Sequence, residues 1–290
     1  MTNPNGPTPY TAISYTVADG IATVTLNRPE ARNGYTPTMA DEAEHAFKAA
    51  DRDPGVRVVV FTGAGRDFSV GADLSGGGFD LLPATSAGHD WQEPAGRCSK
   101  TIFAMNKPVI AALRGAAVGG GLTITLSCDF RLASTDARFG FMFGRRGIFP
   151  EGGSVWYLPR LVGMARATDW MITGRVFDAE EALAAGLVRS LHAPEDVLEA
   201  AYELARDIMA TTSPVSTAVI RQMLYRLSGL DSPMPVHALD SRLIAGLATH
   251  ADAVEGVESF LQKRPPNFPL AVPGDIPQWL PWVSQDGPDV

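Results

Sequence analysis

Residues 107–133 read KPVIAALRGAAVGGGLTITLSCDFRLA, and the order of signals in this stretch decides the fold class. Lys107-Pro108 leads into a short apolar run, residues 109–113, with the length and composition of a strand. Arg114-Gly115 turns the chain. Gly119-Gly120-Gly121 then opens an apolar helix that runs to about residue 127, and residues 129–133 form a strand again. Strand, glycine-rich turn, helix and strand in close succession are the alternation of an α/β protein.

Working outward, the N-terminal side carries the same logic. Residues 13–17 and 21–26 are β-branched runs separated by Asp19-Gly20, a hairpin signature. Thr36-Pro37 opens a helix, with Thr as N-cap and Pro at the first helical position. Met39, Ala43, Ala46, Phe47 and Ala50 form its apolar stripe, and Asp53-Pro54-Gly55 ends it. Residues 56–62 (VRVVVFT) are apolar enough for a strand buried on both faces. Residues 63–100 read as loop, punctuated by glycines at 63, 65, 71 and 76–78. Beyond residue 153 the pattern is almost wholly helical, with segments expected near 153–162, 165–173, 178–184, 194–210, 214–227, 236–249 and 252–262. The first twelve residues and the Pro/Trp-rich segment 265–290 read as tails, the latter able to pack through Phe268, Trp279 and Trp282.

Composition removes several classes of function. The 290 residues are 45% hydrophobic and 19% charged, which is ordinary globular usage. Net charge is −8 with no basic block, which disfavours nucleic acid and anionic membrane as partners. No apolar run reaches the roughly 20 residues of a membrane helix, and the N-terminus lacks the charged and apolar regions of a signal peptide. Two cysteines, Cys98 and Cys128, suit a reducing cytoplasm and small core positions, not a disulfide scaffold. The five histidines show no metal-ligand spacing, so no metal is expected.

Two glycine clusters are candidates for chemistry. Gly63-Ala-Gly65-Arg-Asp-Phe68 follows a strand and mimics the start of a dinucleotide fingerprint. Phe68 replaces the third small residue and no helix follows, so the segment reads as a turn and nicotinamide binding is not expected. Phe68-Ser-Val-Gly-Ala-Asp73 and Gly115-Ala-Ala-Val-Gly-Gly-Gly121 form the stronger pair. Two backbone amides flanked by small residues, one at a helix start, can point at a single oxygen and form an oxyanion hole. Close helix packing would also account for a glycine triplet.

Asn27-Arg-Pro-Glu-Ala-Arg-Asn33, Phe68-Ser-Val-Gly-Ala-Asp73, Lys107-Pro-Val-Ile-Ala-Ala, Gly115-Ala-Ala-Val-Gly-Gly-Gly121 and Cys128-Asp129 together resemble the crotonase superfamily, the enoyl-CoA hydratase/isomerase family. Gly174, Ala179-Glu-Glu-Ala182 and Ala185-Gly-Leu-Val188 extend the resemblance, which spans roughly residues 13–268. It implies a ββα spiral core over 13–200, a helical trimerisation region over 201–264, a homotrimer or hexamer, and a coenzyme A thioester as substrate. Coenzyme A would arrive on the substrate, so no separate cofactor is implied. Ala72 and Gly120 match the family's oxyanion amides, with Gly71 and Gly119 beside them. Arg28 and the 32–34 stretch, with Asn33, match positions near the nucleotide. Lys263 could reach a ribose phosphate. Asp73 would brace its loop.

The resemblance fixes an enolate, not a reaction. Hydratases of the family carry one glutamate in Gly-Gly-Gly-x-Glu and another in a Pro-Glu step after Phe-Gly; here those positions are Thr123 and Phe143. Glu151, in Pro150-Glu-Gly152, matches the acid of Δ3,Δ2-enoyl-CoA isomerases. A single carboxylate can carry a proton from C2 to C4 without water, and Phe143, Phe149 and Trp156 could keep the site dry. A first-turn acid complementing a helix dipole would also explain Glu151. Isomerase is therefore the leading expectation, with a hydratase or a non-catalytic acyl-CoA binder as alternatives. His89, Asp90 and Trp91 lie in the 75–100 loop, which would shape substrate choice, and Arg145-Arg146 could pair with acids at a subunit contact or serve the CoA phosphates or a substrate carboxylate.

Overall fold

Asp19 and Gly20, both with positive φ, close a two-residue turn between β1 (Ile13–Ala18) and β2 (Ile21–Leu26), as a hairpin of this kind demands. The computed structural model describes residues 10–76, 91–246 and 249–283. From that hairpin the chain builds a six-stranded sheet with β3 (Val58–Gly63), β4 (Val109–Leu113), β6 (Phe130–Ser134) and β9 (Ser190–His192), in the order β1-β2-β3-β4-β6-β9. Only the β1–β2 pair is antiparallel. A smaller sheet joins β5 (Ala116–Val118), β7 (Arg138–Gly140) and β8 (Val176–Asp178).

The parallel strands are apolar at successive positions because both faces are covered. Val59 and Phe61 of β3 pack into the main core with α1 (Pro37–Arg52), whose buried Met39, Ala43, Ala46, Phe47 and Ala50 are the expected stripe. Val58 and Val60 face the opposite way, onto Val197, Ala201 and Ala205 of α7 (Val197–Thr211). Thr36 caps α1, its hydroxyl accepting from the Met39 amide at 3.2 Å.

Residues 63–100, expected as loop, contain the start of a helix, α2 (Pro94–Ala104). Its buried side is built from Ala95, Cys98, Ser99 and Ile102. Those residues recur at helical spacing, but most are small and Pro94 and Gly96 punctuate the first turn, so the apolar signal is faint. The glycine triplet opens α3 (Gly120–Thr125), a shorter helix than expected. Then follow α4 (Ser154–Val162), α5 (Met164–Thr173), α6 (Ala179–Ala184), α8 (Pro214–Leu227), α9 (Met234–Ala245) and α10 (Ala251–Gln262), within a few residues of the expected segments.

The Cys128-Asp129 step ties these layers together. Asp129 accepts from the Val109 amide at 2.7 Å and pairs with buried Arg221 of α8 at 2.9 Å. Arg221 also donates to the Ile102 and Phe103 carbonyls at the end of α2, at 2.7 and 3.1 Å. Breaking such a buried pair leaves an uncompensated charge, at a cost of about 3–5 kcal/mol.

Of the N-terminal tail read over 1–12, residues 1–9 lie outside the described residues; Thr11 and Ala12 donate their amides to Glu42, each at 2.8 Å. In the segment 265–283, Val272, Ile276 and Leu280 bury against Val215, Ala218 and Val219 of α8, with Trp279 and Trp282 alongside. No described helix is long and apolar enough to cross a membrane.

Candidate active site

The two glycine clusters meet. Tyr35 and Ala72 form a lone parallel bridge in which the Tyr35 amide donates to the Gly71 carbonyl at 2.7 Å and the Asp73 amide donates to the Tyr35 carbonyl at 3.0 Å. That pattern turns the Ala72 amide away from Tyr35. Gly71, at φ +85°, lies against the other cluster: a Cβ there would be 3.0 Å from the Val118 carbonyl oxygen. Gly119 donates to the Gly140 carbonyl at 2.9 Å and launches α3, so the Gly120 amide sits in the first helical turn, where intrahelical acceptors are lacking. Among the described residues, neither the Ala72 nor the Gly120 amide has a backbone or side-chain acceptor. Gly121 permits this contact, since a Cβ there would fall 2.5 Å from Ser69 Cβ.

Ala72 and Gly120 line a cavity of about 640 Å³ whose other walls include Tyr35, Leu74, Trp91, Met142, Phe143, Ile148 and Glu151. Glu151 reaches it from the turn before α4. Its Oε1 accepts from the Thr123 hydroxyl at 2.6 Å and lies 3.4 Å from where a Gly120 Cβ would be. Burial, then the neighbouring charge and hydrogen bond of Glu93, push its carboxyl up to about 8, against the opposing Thr123 bond.

Glu93 lies in the 63–100 stretch whose glycines read as loop, so the sequence does not single it out. It stands at the N-cap of α2 without capping it. Instead its Oε1 accepts from the Gly152 amide at 2.8 Å, next door to Glu151, and its Oε2 is buried without a partner among the described residues. A Glu-Pro step opening a helix was the available signal.

The remaining candidates separate into frame and wall. Asn33 is fully buried; its side chain donates to the Ala64 and Asp67 carbonyls at 2.9 and 2.8 Å and accepts from the Arg28 amide at 2.9 Å. Arg28 pairs with Asp73 at 2.9 Å and donates to the Gly34 carbonyl at 2.7 Å. Hydrogen bonds from Ser75, and then Arg28, hold the Asp73 carboxyl down at about 2. Thr123 and Phe143 are both buried beside the cavity, and Phe143 lines it. Phe149 lines it with 87% of its surface exposed.

Trp156, expected to dry the site, is instead packed against Phe103, Tyr157 and Arg160, outside the cavity wall. Arg145 donates to the Thr173 carbonyl at 2.8 Å, whereas Arg146 is exposed on the cavity wall. Lys263 forms the C-cap of α10, exposed and outside the wall. His89 and Asp90 lie outside the described residues. Gly63 to Phe68 is a turn, with Phe68 in the core. Burial pushes the Cys98 and Cys128 thiols up to about 12, as expected of inert core cysteines. No group of three metal-ligating side chains occurs among the described residues.

Facing amides above a largely apolar cavity with two neighbouring acids, Glu93 and Glu151, on its wall define a site for polarising a carbonyl and moving a proton. The chain belongs to the enoyl-CoA hydratase/isomerase family, whose model matches residues 16–270. It is 38% identical over 252 residues to the enoyl-CoA hydratase ACTT3 of Alternaria alternata, covering 87% of this chain and 83% of that protein. It is 33% identical over 255 residues to the 1,2-epoxyphenylacetyl-CoA isomerase of Escherichia coli, covering 87% and 96%. The crystal structure of an enoyl-CoA hydratase from a Polaromonas species superposes with a TM-score of 0.81 at 29% identity, covering 89% of this chain and 100% of that one. The mixed α/β architecture is thus the crotonase fold.

Proposed function

We propose that this chain acts on acyl-CoA thioesters. The thioester oxygen accepts hydrogen bonds from the Ala72 and Gly120 amides, and Glu151 moves the proton of an enoyl-CoA isomerisation. The observation that carries the reading is the placement of Glu151: a half-buried acid beside Gly120, its carboxyl facing an apolar cavity, with Thr123 and Phe143 where hydratases of the family hold glutamates. Removal of a C2 proton sends the electron pair onto the thioester oxygen, where preorganised donors are worth about 10²–10³ in rate each. The same carboxyl then returns the proton at C4. An acid whose proton affinity lies near operating pH serves both halves.

Hydration is the second reading. It is favoured by the second carboxyl, Glu93, next to Glu151, and by relatives named as hydratases. Incubation with 2-enoyl- and 3-enoyl-CoA separates the two: migration of the double bond without net addition of water is expected, and strong hydration of the 2-enoyl substrate would reverse the order. Arg28 with the 32–34 backbone, and Lys263, are assigned to the nucleotide end of coenzyme A.

We also infer a homotrimer or hexamer, as the resemblance implies, and exposed apolar surface on α8, α9 and α10 supports it. Leu204, Ile208, Val219, Met223 and Leu243 pack within the chain, and Leu247 lies outside the described residues. Ile220 and Leu224 of α8, Ile244 of α9, and Val257, Phe260 and Leu261 of α10 are instead exposed, more apolar surface than a monomer ordinarily shows. Light scattering at micromolar concentration is expected to return a multiple of three chains; a monomer would refute self-association.

A further inference from the structure

We propose that Glu93 is the proton partner of Glu151: the two carboxyl groups share one proton, which Glu151 donates to Glu93 Oε2 in the resting chain and which Glu93 takes over when Glu151 must act as a base. The inference rests on the reading of Glu151 as the proton-transfer group. Three features of the geometry support it. Glu93 Oε1 is anchored by the Gly152 amide at 2.8 Å, which fixes the carboxyl next to Glu151. Glu93 Oε2 is buried and finds no donor among the described residues, and a buried carboxylate oxygen without a donor is costly. A proton on Glu151 supplies that donor. The Thr123 hydroxyl already occupies Glu151 Oε1, which leaves Oε2 to carry the proton.

The third feature is Gly96, in the first turn of α2. A Cβ there would lie 2.1 Å from Glu93 Oε1 and 2.9 Å from its carboxyl carbon. The glycine leaves room for the carboxyl to fold back over its own helix toward Glu151.

Two carboxylates at one buried site cannot both ionise freely, so one holds a proton into the neutral range. The other groups facing Glu151 do not change this. Tyr35, ahead of α1, is buried and bonded to Cys98 of α2, and burial holds both in their neutral forms. Arg146 lines the cavity but is exposed. Thr123 of α3 is uncharged. On α4, Arg160 lies over Trp156, 3.9 Å from the ring centre.

The cycle balances. The Glu151 O–H bond breaks as the proton forms O–H on Glu93. Glu151 then takes the C2 proton, whose electron pair passes to the thioester oxygen, and delivers that same proton to C4. The first proton returns from Glu93. Glu93 touches no substrate atom in this scheme and is a positioning residue.

Infrared titration of the substrate-free chain tests the pair without turnover, with Glu151→Gln identifying the Glu151 band. The wild type is expected to show a protonated-carboxyl band at pH 7 that Glu151→Gln lacks. In Glu93→Gln, whose amide oxygen still accepts from Gly152, the band should titrate at least about one pH unit lower. The limb of the kcat/KM profile for 3-enoyl-CoA that reports loss of this proton should move by the same amount. Gly96→Ala keeps both carboxyls and favours the helix, but pushes Glu93 away; it should shift both midpoints in the same direction. If Glu93→Gln and Gly96→Ala lower the rate with both midpoints unmoved, Glu93 merely supports the Gly152 turn and the pairing is wrong. If the infrared midpoints shift as expected but no variant, nor the wild type, turns over any enoyl-CoA, the pairing stands and the assigned reaction falls.

Discussion

Glu151→Gln is expected to slow double-bond migration by at least about 10²-fold, the lower range for a positioned general acid-base group. Gln keeps the size of the side chain and an oxygen for the Thr123 hydroxyl, which reaches Glu151 at 2.6 Å. What it removes is the capacity to accept and return a proton. Binding of a saturated acyl-CoA should change little, because the Ala72 and Gly120 amides belong to the backbone of the 71–73 loop and of α3, and neither is built on Glu151. Thr123→Ala should cost much less than Glu151→Gln, since the hydroxyl only orients the carboxyl. The measurement is kcat/KM on a 3-enoyl-CoA beside calorimetric binding of a saturated analogue. A Glu151→Gln chain with near-normal turnover would remove Glu151 from the chemistry; one that loses binding and turnover together would mean the substitution had disturbed the oxygen-binding amides.

The parts of this site that sequence reveals are those in which the backbone itself does the work. Gly71, Gly119 and Gly121 stand out because a positive φ at the first two and the close approach of Ser69 at the third leave few alternatives to glycine. Strands β3 and β4 stand out because burial on both faces demands unbroken apolar runs. Glu151 was legible through its Pro-Glu-Gly setting. Glu93 was not, because its meaning depends on α2 folding over Gly152, a contact between segments 59 residues apart. The helix that carries it buries mainly small residues, so its periodicity is weak. Trp156 failed in the opposite way. An aromatic two residues past the α4 start suggested a wall of the cavity, but helical geometry turns it onto Phe103 and Tyr157. Leu204 and Ile208 of α7 pack against the sheet, and Val219 and Met223 of α8 against the 265–283 segment, contacts between distant stretches that apolar periodicity alone does not disclose.

The same Glu151→Gln substitution is expected to make the folded chain more stable, increasingly so as pH rises. Burial first, and Glu93 second, raise the Glu151 carboxyl from its ordinary 4.5 to about 8. Between those values the folded chain holds a proton that the unfolded chain releases. The stability tied to that proton is complete below pH 4.5 and is lost as pH climbs through about 8. Each unit of difference corresponds to about 1.4 kcal/mol, so the loss at pH 7 is on the order of 3 kcal/mol. Gln carries no such ionisation. Its NH2 can donate to the unpartnered Glu93 Oε2 and its oxygen can accept from Thr123, so the buried groups stay satisfied. Denaturant titrations of the two chains should therefore separate by on the order of 3 kcal/mol at pH 7 and converge toward pH 4.5. Glu93→Gln should give a smaller gain, because burial and not the neighbouring charge is the larger cause of the Glu151 shift. A difference between Glu151→Gln and wild type that is flat across this range would mean that Glu151 ionises normally in the folded chain. Neither an acid poised near neutrality nor a shared proton would then survive. If the difference grows with pH while turnover collapses, the chain keeps at its active site a carboxyl that its fold would be more stable without, a trade between stability and activity common at catalytic positions.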